Sequence, residues 1–168
     1  MMIRVPEIPD EGLRVESPAE LDHVYSEPGW SLEEVSLQVE RRGQEVSVSG
    51  HFRATARLEC SRCLEPLTSP VGAGVDVHLV PQPGERQGEI ELGADDLEVD
   101  FYVGDLLDLS GLLRSETDLA LPMKPLCRPD CRGLCPVCGG NRNVTDCRCP
   151  TRSLDPRLAS LEALRRRH

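Results

Sequence analysis

The stretch "SLEEVSLQVERRGQEVSVSGHFRATARLEC" (residues 31–60) decides the fold, because apolar and polar residues alternate along two runs that a polar turn separates. A period of two residues is the spacing of a β-strand with one buried face, and "RRGQE" (41–45) supplies the turn. The stretch therefore predicts a β-hairpin with one buried face. The apolar positions on that face are Val35, Leu37, Val39, Val46, Val48, Ala54, Ala56 and Leu58.

Two further strands are predicted after the hairpin. The alternation returns in "LTSPVGAGVDVHLVP" (67–81), and "LEVDFYV" (97–103) predicts a short fourth strand. Residues 81–96, which lie between these runs, are rich in Pro, Gly and acidic residues and predict a mobile loop.

Two helices are predicted in the second half of the chain. In "GDLLDLSGLLRSETDLALP" (104–122) the apolar period becomes helical, and Asp105 is the predicted N-cap. A short terminal helix is predicted in "SLDPRLASLEALRRRH" (153–168), with Asp155 as its N-cap. Residues 1–12, with their prolines and glycine, predict an extended, loosely ordered start. The leucines on one face of the first helix are Leu106, Leu109, Leu113 and Leu119, with Leu112 beside them.

These patterns predict an α+β fold: a small antiparallel β-sheet or partial barrel with a packed helix, followed by a Cys-rich zinc-binding C-terminal segment and a short terminal helix. Charge divides the chain in the same way. Residues 1–121 hold 9 Lys+Arg and 25 Asp+Glu, for a net charge of −16, whereas residues 122–168 hold 10 and 4, for +6. We therefore expect an acidic α+β body at 1–121 and a basic Cys-rich tail at 122–168.

Six of the eight cysteines lie between residues 127 and 149. Such density indicates either a disulfide framework or a metal site, and the compartment decides between them. The N-terminal residues show no basic region followed by an apolar run, and no stretch approaches the ~20 apolar residues of a membrane span. We therefore expect a cytoplasmic protein with reduced thiols and bound zinc, with disulfides as the open alternative.

The spacing of the cysteines predicts how they group. In "CPVCGG" (135–140), two thiols at C-x₂-C spacing precede a glycine, which is the pattern of a zinc knuckle. The primary predicted Cys₄ site is Cys135, Cys138, Cys147 and Cys149, and a second site is Cys60, Cys63, Cys127 and Cys131. A rival grouping places Cys127 or Cys131 in the first site.

The sequence contains no Ser/His/Asp arrangement, phosphate loop or HExxH motif, so we expect no enzyme activity and no small-molecule substrate. A redox role for Cys60 and Cys63 is the catalytic alternative, although the βαβ context of a thioredoxin-like motif is missing. A basic tail on an acidic body indicates contact with a polyanion, whereas a dipolar protein without such a partner is the simpler alternative. The predicted RNA-contacting residues are Arg128, Arg132, Arg142, Arg148 and Arg152.

Four motifs in order resemble the YceD family of bacterial large ribosomal RNA subunit accumulation proteins, which also has plastid relatives. The resemblance covers the chain from about residue 35 onward and implies a non-enzymatic role in 23S rRNA accumulation or processing during large-subunit biogenesis. It departs at Arg142, where the family more often has an apolar residue between two asparagines. Some relatives lack the C-terminal cysteine block, which implies that the metal site does not carry the shared function alone. The motifs are "CSRCLEP" (60–66), "LALPMKPLC" (119–127), "CRGLCPVCGGNRN" (131–143) and "DPRLASLEAL" (155–164).

The resemblance implies rRNA or large-subunit precursor particles as partners, with the basic tail supplying phosphate contacts. The alternative function is a zinc-stabilised protein–protein adaptor, in which the acidic residues 85–100 dock a basic ribosomal protein.

Overall fold

The alternating patterns become long strands in the computed structural model, which describes residues 1–21, 23–83 and 99–150. Short 3-10 turns occupy Val5–Glu7 and Pro18–Glu20, and the α-helix α1 spans Leu109–Ala120. The strands are β1 (Met2–Arg4), β2 (Leu13–Val15), β3 (Ser31–Arg42), β4 (Glu45–Glu59), β5 (Pro66–Pro81), β6 (Val99–Tyr102) and β7 (Leu106–Asp108).

The predicted hairpin is confirmed. β3 and β4 pair antiparallel, and Val39 lies opposite Val48 on the buried face. Gly43 makes the turn with a φ of +66°, which glycine adopts without a steric penalty. The predicted apolar face is buried along both strands, except that Leu58 near the end of β4 is half-buried.

The strand order β2-β3-β4-β5-β6 forms a five-stranded sheet, and β1 pairs with β7 in a separate two-stranded sheet. The prediction of an antiparallel sheet is correct for β2–β3 and β3–β4 but wrong for β6, which pairs parallel to β5 with His78 opposite Val99. Residues 82–98 connect these two strands, and a connection of a dozen or more residues is long enough to return the chain in the same direction. The predicted loop at 81–96 lies mostly outside the described residues, as does the predicted terminal helix at 153–168.

Helix α1 begins later than the sequence predicted. Leu106 belongs to β7, and the N-cap is Asp108, whose Oδ1 accepts a hydrogen bond of 3.0 Å from the Gly111 backbone N–H. A Cβ at Gly111 would lie 2.6 Å from the other Asp108 carboxylate oxygen, so a larger residue at this position would displace the capping carboxylate. Residues 106–108 follow the same helical period of apolar residues as α1, but their pairing with β1 makes them a β-strand.

The buried face of α1 also differs from the predicted leucine stripe. Leu109 and Leu113 are fully buried as predicted, but the other buried positions are Ser110 and Thr117, while Leu119 is 79% exposed. Thr117 is accommodated because its hydroxyl contacts the Leu113 carbonyl and the Tyr25 hydroxyl, each at 2.8 Å. A buried hydroxyl with partners avoids the cost of an unsatisfied polar group.

The expectation of a loosely ordered N-terminus is wrong. β1 pairs with β7 with Ile3 opposite Leu107, and Ile3, Val5 and Ile8 are buried. The prolines at 6 and 9 fall outside the strand, where they do not remove a ladder hydrogen bond. The N-terminal segment is therefore part of the hydrophobic core.

The chain divides into two compact units. The first comprises Met1–Leu58 and Pro66–Pro125, and the second comprises Glu59–Glu65 and the residues from Leu126 onward. The hydrophobic core lies in the first unit, and its largest fully buried side chains include Phe52, Leu37, Leu107, Leu109 and Leu113. The independent folding of a body at 1–121 stays a prediction. Among the described residues, no helix combines the length and apolar character that crossing a bilayer requires.

Candidate metal centres

The first knuckle lies at Cys60 and Cys63, in the short connection from β4 to β5. Leu64 N–H donates to the Cys60 carbonyl and Cys60 N–H donates to the Glu65 carbonyl, each at 2.9 Å. Leu64 has a φ of +60°, which an L residue with a Cβ adopts at a cost of about 1–2 kcal/mol. These two backbone hydrogen bonds close the turn, so that both cysteine sulfurs face the same point.

The second knuckle, at Cys135 and Cys138, repeats this geometry at equivalent positions. Gly139 N–H donates to the Cys135 carbonyl at 2.9 Å, and Cys135 N–H donates to the Gly140 carbonyl at 2.8 Å. Gly139 has a φ of +71°, a conformation that glycine adopts without a steric penalty. The two knuckles differ at this corner, where one has leucine and the other glycine.

Four thiols far apart in sequence meet in the second unit and form what we call the long-range cluster: Cys60, Cys63, Cys127 and Cys131. The Cys60 and Cys131 sulfurs are 3.7 Å apart, and the Cys63 and Cys127 sulfurs are 3.6 Å apart. A tetrahedral ion with metal–sulfur bonds of about 2.3 Å has sulfur–sulfur edges of about 3.8 Å. All but Cys127 are buried, so the cluster has the spacing and enclosure of a structural Cys₄ metal site.

The remaining thiols form the local cluster, Cys135, Cys138, Cys147 and Cys149, whose sulfurs all lie within 4.8 Å of one another. Cys135 is buried, Cys138 is exposed, and the other two are half-buried. The structure thus brings the cysteines together in the two groups that the sequence predicted, and not in the rival grouping. All eight cysteines are free, with no disulfide between them.

The polypeptide lowers the pKa of two thiols in the long-range cluster, Cys60 and Cys131, and of one thiol in the local cluster, Cys135. Backbone N–H groups of Cys127, Cys63 and Arg62 lower the pKa of the Cys60 thiol to about 6. In the local cluster, the backbone N–H groups of Cys138 and Val137 lower the pKa of Cys135 to about 6. N–H donors directed at sulfur favour the charged form, as they do for metal-bound thiolates.

In each cluster two other thiols have a raised pKa: Cys63 and Cys127 in the long-range cluster, and Cys147 and Cys149 in the local cluster. The hydrogen bond with Cys138, together with burial, raises the pKa of Cys149 to about 12. Cys127 as a whole residue is exposed, but its sulfur lies among the other three thiols. Desolvation of this sulfur raises the pKa of the Cys127 thiol to about 12. Four thiolates at these distances repel one another unless a cation is present. A soft divalent ion that prefers thiolate and tetrahedral geometry fits this donor set.

A residue that the sequence analysis missed connects the clusters. Asn143 lies in the loop between the knuckle and the last two cysteines of the local cluster, yet its Nδ2 donates to the Cys131 sulfur of the long-range cluster at 3.2 Å. The same amide nitrogen donates to Asn141 Oδ1 at 2.9 Å. Its Oδ1 accepts from Arg128 Nη2 and from the Arg132 backbone N–H, each at 2.8 Å. The signal for this role was the Asn-x-Asn pattern at 141–143, because amides satisfy several backbone and sulfur partners at once.

The predicted RNA-contacting arginines have different environments. Arg128 is engaged with Asn143 and lies 3.6 Å from the Asp130 carboxylate. Among the described residues, no carboxylate pairs with the side chains of Arg132, Arg142 or Arg148. Arg152 lies outside the described residues.

A further arginine that the sequence analysis did not single out has a structural role. Arg62, between the two cysteines of the first knuckle, donates from Nη1 to the carbonyls of Cys131 at 2.9 Å and Pro129 at 3.3 Å. Its own carbonyl accepts from Leu134 N–H at 3.0 Å. Arg62 therefore ties the first knuckle to the segment that carries the other two ligands of the long-range cluster.

The fold and the clusters define a β-sheet protein with two tetrathiol centres built on paired knuckles. The chain belongs to the family described as large ribosomal RNA subunit accumulation protein YceD, whose profile matches residues 48–165. That range contains every cysteine of both clusters.

Individual relatives agree with this assignment. An uncharacterised protein of Mycobacterium tuberculosis is 33% identical over 138 residues, covering 78% of this chain and 61% of the relative. A Zea mays protein named large ribosomal RNA subunit accumulation protein YCED homolog 1, chloroplastic, is 28% identical over 71% of this chain and 49% of the relative. The Arabidopsis thaliana protein of the same name is 25% identical over 79% of this chain and 48% of the relative. The chain thus spans about half to three-fifths of the length of these relatives. No solved structure matches it significantly.

Proposed function

We propose that this chain is a non-enzymatic ribosome-biogenesis factor that supports accumulation or processing of 23S rRNA in large-subunit assembly. The observation that carries the proposal is the family match, which spans both tetrathiol clusters. Its partners are pre-rRNA or large-subunit precursor particles. The reduced thiols that it requires are those of a reducing compartment such as the cytoplasm.

Each cluster holds one zinc ion in this proposal, through Cys60, Cys63, Cys127 and Cys131 and through Cys135, Cys138, Cys147 and Cys149. Zinc supplies structural cross-linking here, because four thiolates saturate a tetrahedral ion and leave no position for water or substrate. The second unit has no apolar core of comparable size among its described residues, so metal binding supplies most of its folding energy.

The net charge of the second unit does not by itself explain RNA binding. Residues 59–65 and 126–150 together hold five arginines and four acidic residues. Each zinc-filled Cys₄ site contributes a charge of about −2, which leaves these segments at about −3. Phosphate contact must therefore depend on the positions of individual arginine side chains. The zinc sites hold the backbone that carries these arginines in place.

Arg142 and Arg148 are the best-supported contact residues. Both lie in the loop and turn that the local cluster closes, and neither has a carboxylate partner among the described residues. Arg142 is positioned through its backbone N–H, which donates to the Gly133 carbonyl at 2.9 Å and leaves its guanidinium available. An arginine that contacts phosphate displaces condensed counterions, so its contribution is measurable as salt dependence.

The test measures binding of the zinc-loaded protein to a 23S rRNA precursor transcript across a salt series. Replacing Arg142→Gln and Arg148→Gln together is expected to reduce the log–log salt slope by about one to two. The charge-matched control is Arg14→Gln with Arg57→Gln in the first unit, which is expected to leave the slope unchanged. An equal effect of both pairs, or no salt dependence, would refute RNA contact by the second unit.

A further inference from the structure

An apolar groove lies on the first unit, remote in sequence from the cysteines. Four large apolar side chains that line it are between 40% and 64% exposed: Met2, Phe101, Val103 and Leu106. Single exposed apolar residues are ordinary, but a contiguous group rimmed by polar residues is typical of an interaction site. The groove has a volume of about 480 Å³, which is within the range of ligand sites, and its lining also includes Leu79, Leu107 and Leu112.

The charges around this groove have one sign. Asp100, Asp108 and Glu116 line it, and no basic side chain from the described residues does. The nearest basic residue in the strand register is Arg4, opposite Leu106, and it lies 3.7 Å from the carboxylate of Glu7. The groove therefore combines apolar surface with a negative rim.

The groove runs beside a strand edge. β6 is the last strand in the order β2-β3-β4-β5-β6, and it supplies Asp100, Phe101 and Tyr102 to the lining. Within the described part of the chain, only β5 pairs along β6, so its outer edge has no ladder partner. An unpaired edge presents backbone donors and acceptors to an added extended segment.

We propose that this groove binds an extended basic polypeptide segment that places an apolar side chain against Phe101 and Leu106 and its lysines or arginines against Asp100 and Glu116. Charge complementarity favours this occupant. RNA phosphates would be repelled by the rim, and two copies of the groove facing each other would bring like charges together. If the proposed function holds, the segment belongs to a basic ribosomal protein. Only this identification of the partner rests on the proposed function.

The binding test uses the full-length zinc-loaded protein and synthetic peptides. A peptide of alternating lysine and isoleucine is expected to bind, whereas a lysine–serine peptide binds more weakly and a glutamate–isoleucine peptide does not bind. Phe101→Ser with Leu106→Ser is expected to weaken binding of the lysine–isoleucine peptide at least about tenfold, as loss of a central apolar anchor does. The control is Leu119→Ser with Met123→Ser, which removes two apolar side chains that lie outside the groove and are even more exposed, and it is expected to change nothing.

The rim is tested separately, with variants that retain the apolar lining. Asp100→Asn with Glu116→Gln is expected to weaken peptide binding several-fold at low salt and to flatten its salt dependence. A photoreactive group on the peptide maps the site even if a lining variant misfolds. Adducts on the peptide spanning residues 99–116 support the proposal, and adducts confined to other segments overturn it.

Three further outcomes would overturn the groove assignment: equal losses in the control pair, RNA displacing the peptide from the groove, or sedimentation showing that Phe101→Ser dissociates a dimer.

The peptide-binding result can be distinguished from a failure of the proposed RNA-binding function. Loss of rRNA binding in the Arg142 and Arg148 variant with peptide binding intact supports both sites as distinct. Absence of any rRNA binding, with groove-dependent peptide binding retained, would refute the RNA role alone.

Discussion

The long-range and local clusters use the same knuckle but obtain their other two ligands in different ways. Cys60 and Cys131 are 71 positions apart, whereas Cys135 and Cys149, the ends of the local cluster, are 14 apart. For an unfolded chain, closing the longer loop costs about 1.4 kcal/mol more in chain entropy. The local cluster can therefore assemble within its own segment, whereas the long-range cluster requires two distant segments to meet.

Burial differs in the same direction. Three thiols of the long-range cluster are buried, but only Cys135 is buried in the local cluster. A buried metal site is protected from chelators and from water, and its loss leaves unsatisfied groups in the interior. The same local turn can therefore form part of a buried cross-link or of an accessible site, depending on where its other two ligands come from.

The largest expected effect is the loss of a ligand from the long-range cluster. Cys60→Ser and Cys138→Ser are each expected to lose one equivalent of zinc by metal analysis. Cys60→Ser is expected to lower the free energy of unfolding of the second unit by about 3–5 kcal/mol, against about 1–2 kcal/mol for Cys138→Ser, because only Cys60 is fully buried.

Amide exchange at Leu134, whose N–H donates to the Arg62 carbonyl, reports on the long-range cluster. Exchange at Gly139, whose N–H donates to Cys135, reports on the local cluster. Equal destabilisation by the two serine variants would remove the distinction between the clusters.

The second prediction concerns the bond that joins the clusters. Asn143→Ala removes the donor to the Cys131 sulfur and is expected to weaken zinc binding at the long-range cluster by about 10–100-fold. The affinity is measured by competition with a chromophoric chelator. Val144→Ala is the matched control, because Val144 is exposed in the same loop. A change at the local cluster alone would show that Asn143 supports only its own loop.

The third prediction concerns the order of metal release. With excess chelator at neutral pH, zinc is expected to leave in two phases, with the local cluster at least about tenfold faster because its thiols are more exposed. Alkylation with mass mapping identifies which cysteines are freed in each phase. Early labelling of Cys60 or Cys63 would contradict the order. Acidification is expected to release zinc from both clusters, because protons compete with the metal for thiolate.

The smallest effect is expected at the one corner where the knuckles differ. Leu64→Gly relieves the positive φ but adds freedom to the unfolded chain, so a net stabilisation of about 0.5 kcal/mol is expected. The reciprocal Gly139→Leu is expected to destabilise by about 1–2 kcal/mol through backbone strain alone, because no atom lies within 4 Å of its added Cβ. Thermal unfolding of the zinc-loaded proteins measures both, and opposite signs are the required result.

The sequence alone determined the features that have a fixed local period. Alternation at 31–60 specified the β3–β4 hairpin, since a period of two exposes one face along the whole strand. Cysteine spacing specified the knuckle at Cys135 and Cys138, because C-x₂-C followed by glycine allows two sulfurs to face one point, whereas the matching turn at Cys60 and Cys63 was not predicted. Spacing proposed the grouping of the eight thiols that the structure shows but left open a rival grouping with Cys127 or Cys131 in the first site.

Only the tertiary structure decided which distant segments meet. The pairing of β1 with β7 moved the start of α1 to Leu109. The parallel alignment of β6 placed Phe101 on an edge that pairs with no other strand within residues 1–21, 23–83 and 99–150. The hydrogen bond from Asn143 to the Cys131 sulfur could not be predicted from spacing, since Asn143 lies in the loop of the local cluster and Cys131 belongs to the long-range cluster. Strand pairing and side-chain partners depend on which edges and groups remain available after the chain has collapsed, and a pattern that repeats every two or four residues carries no information about them.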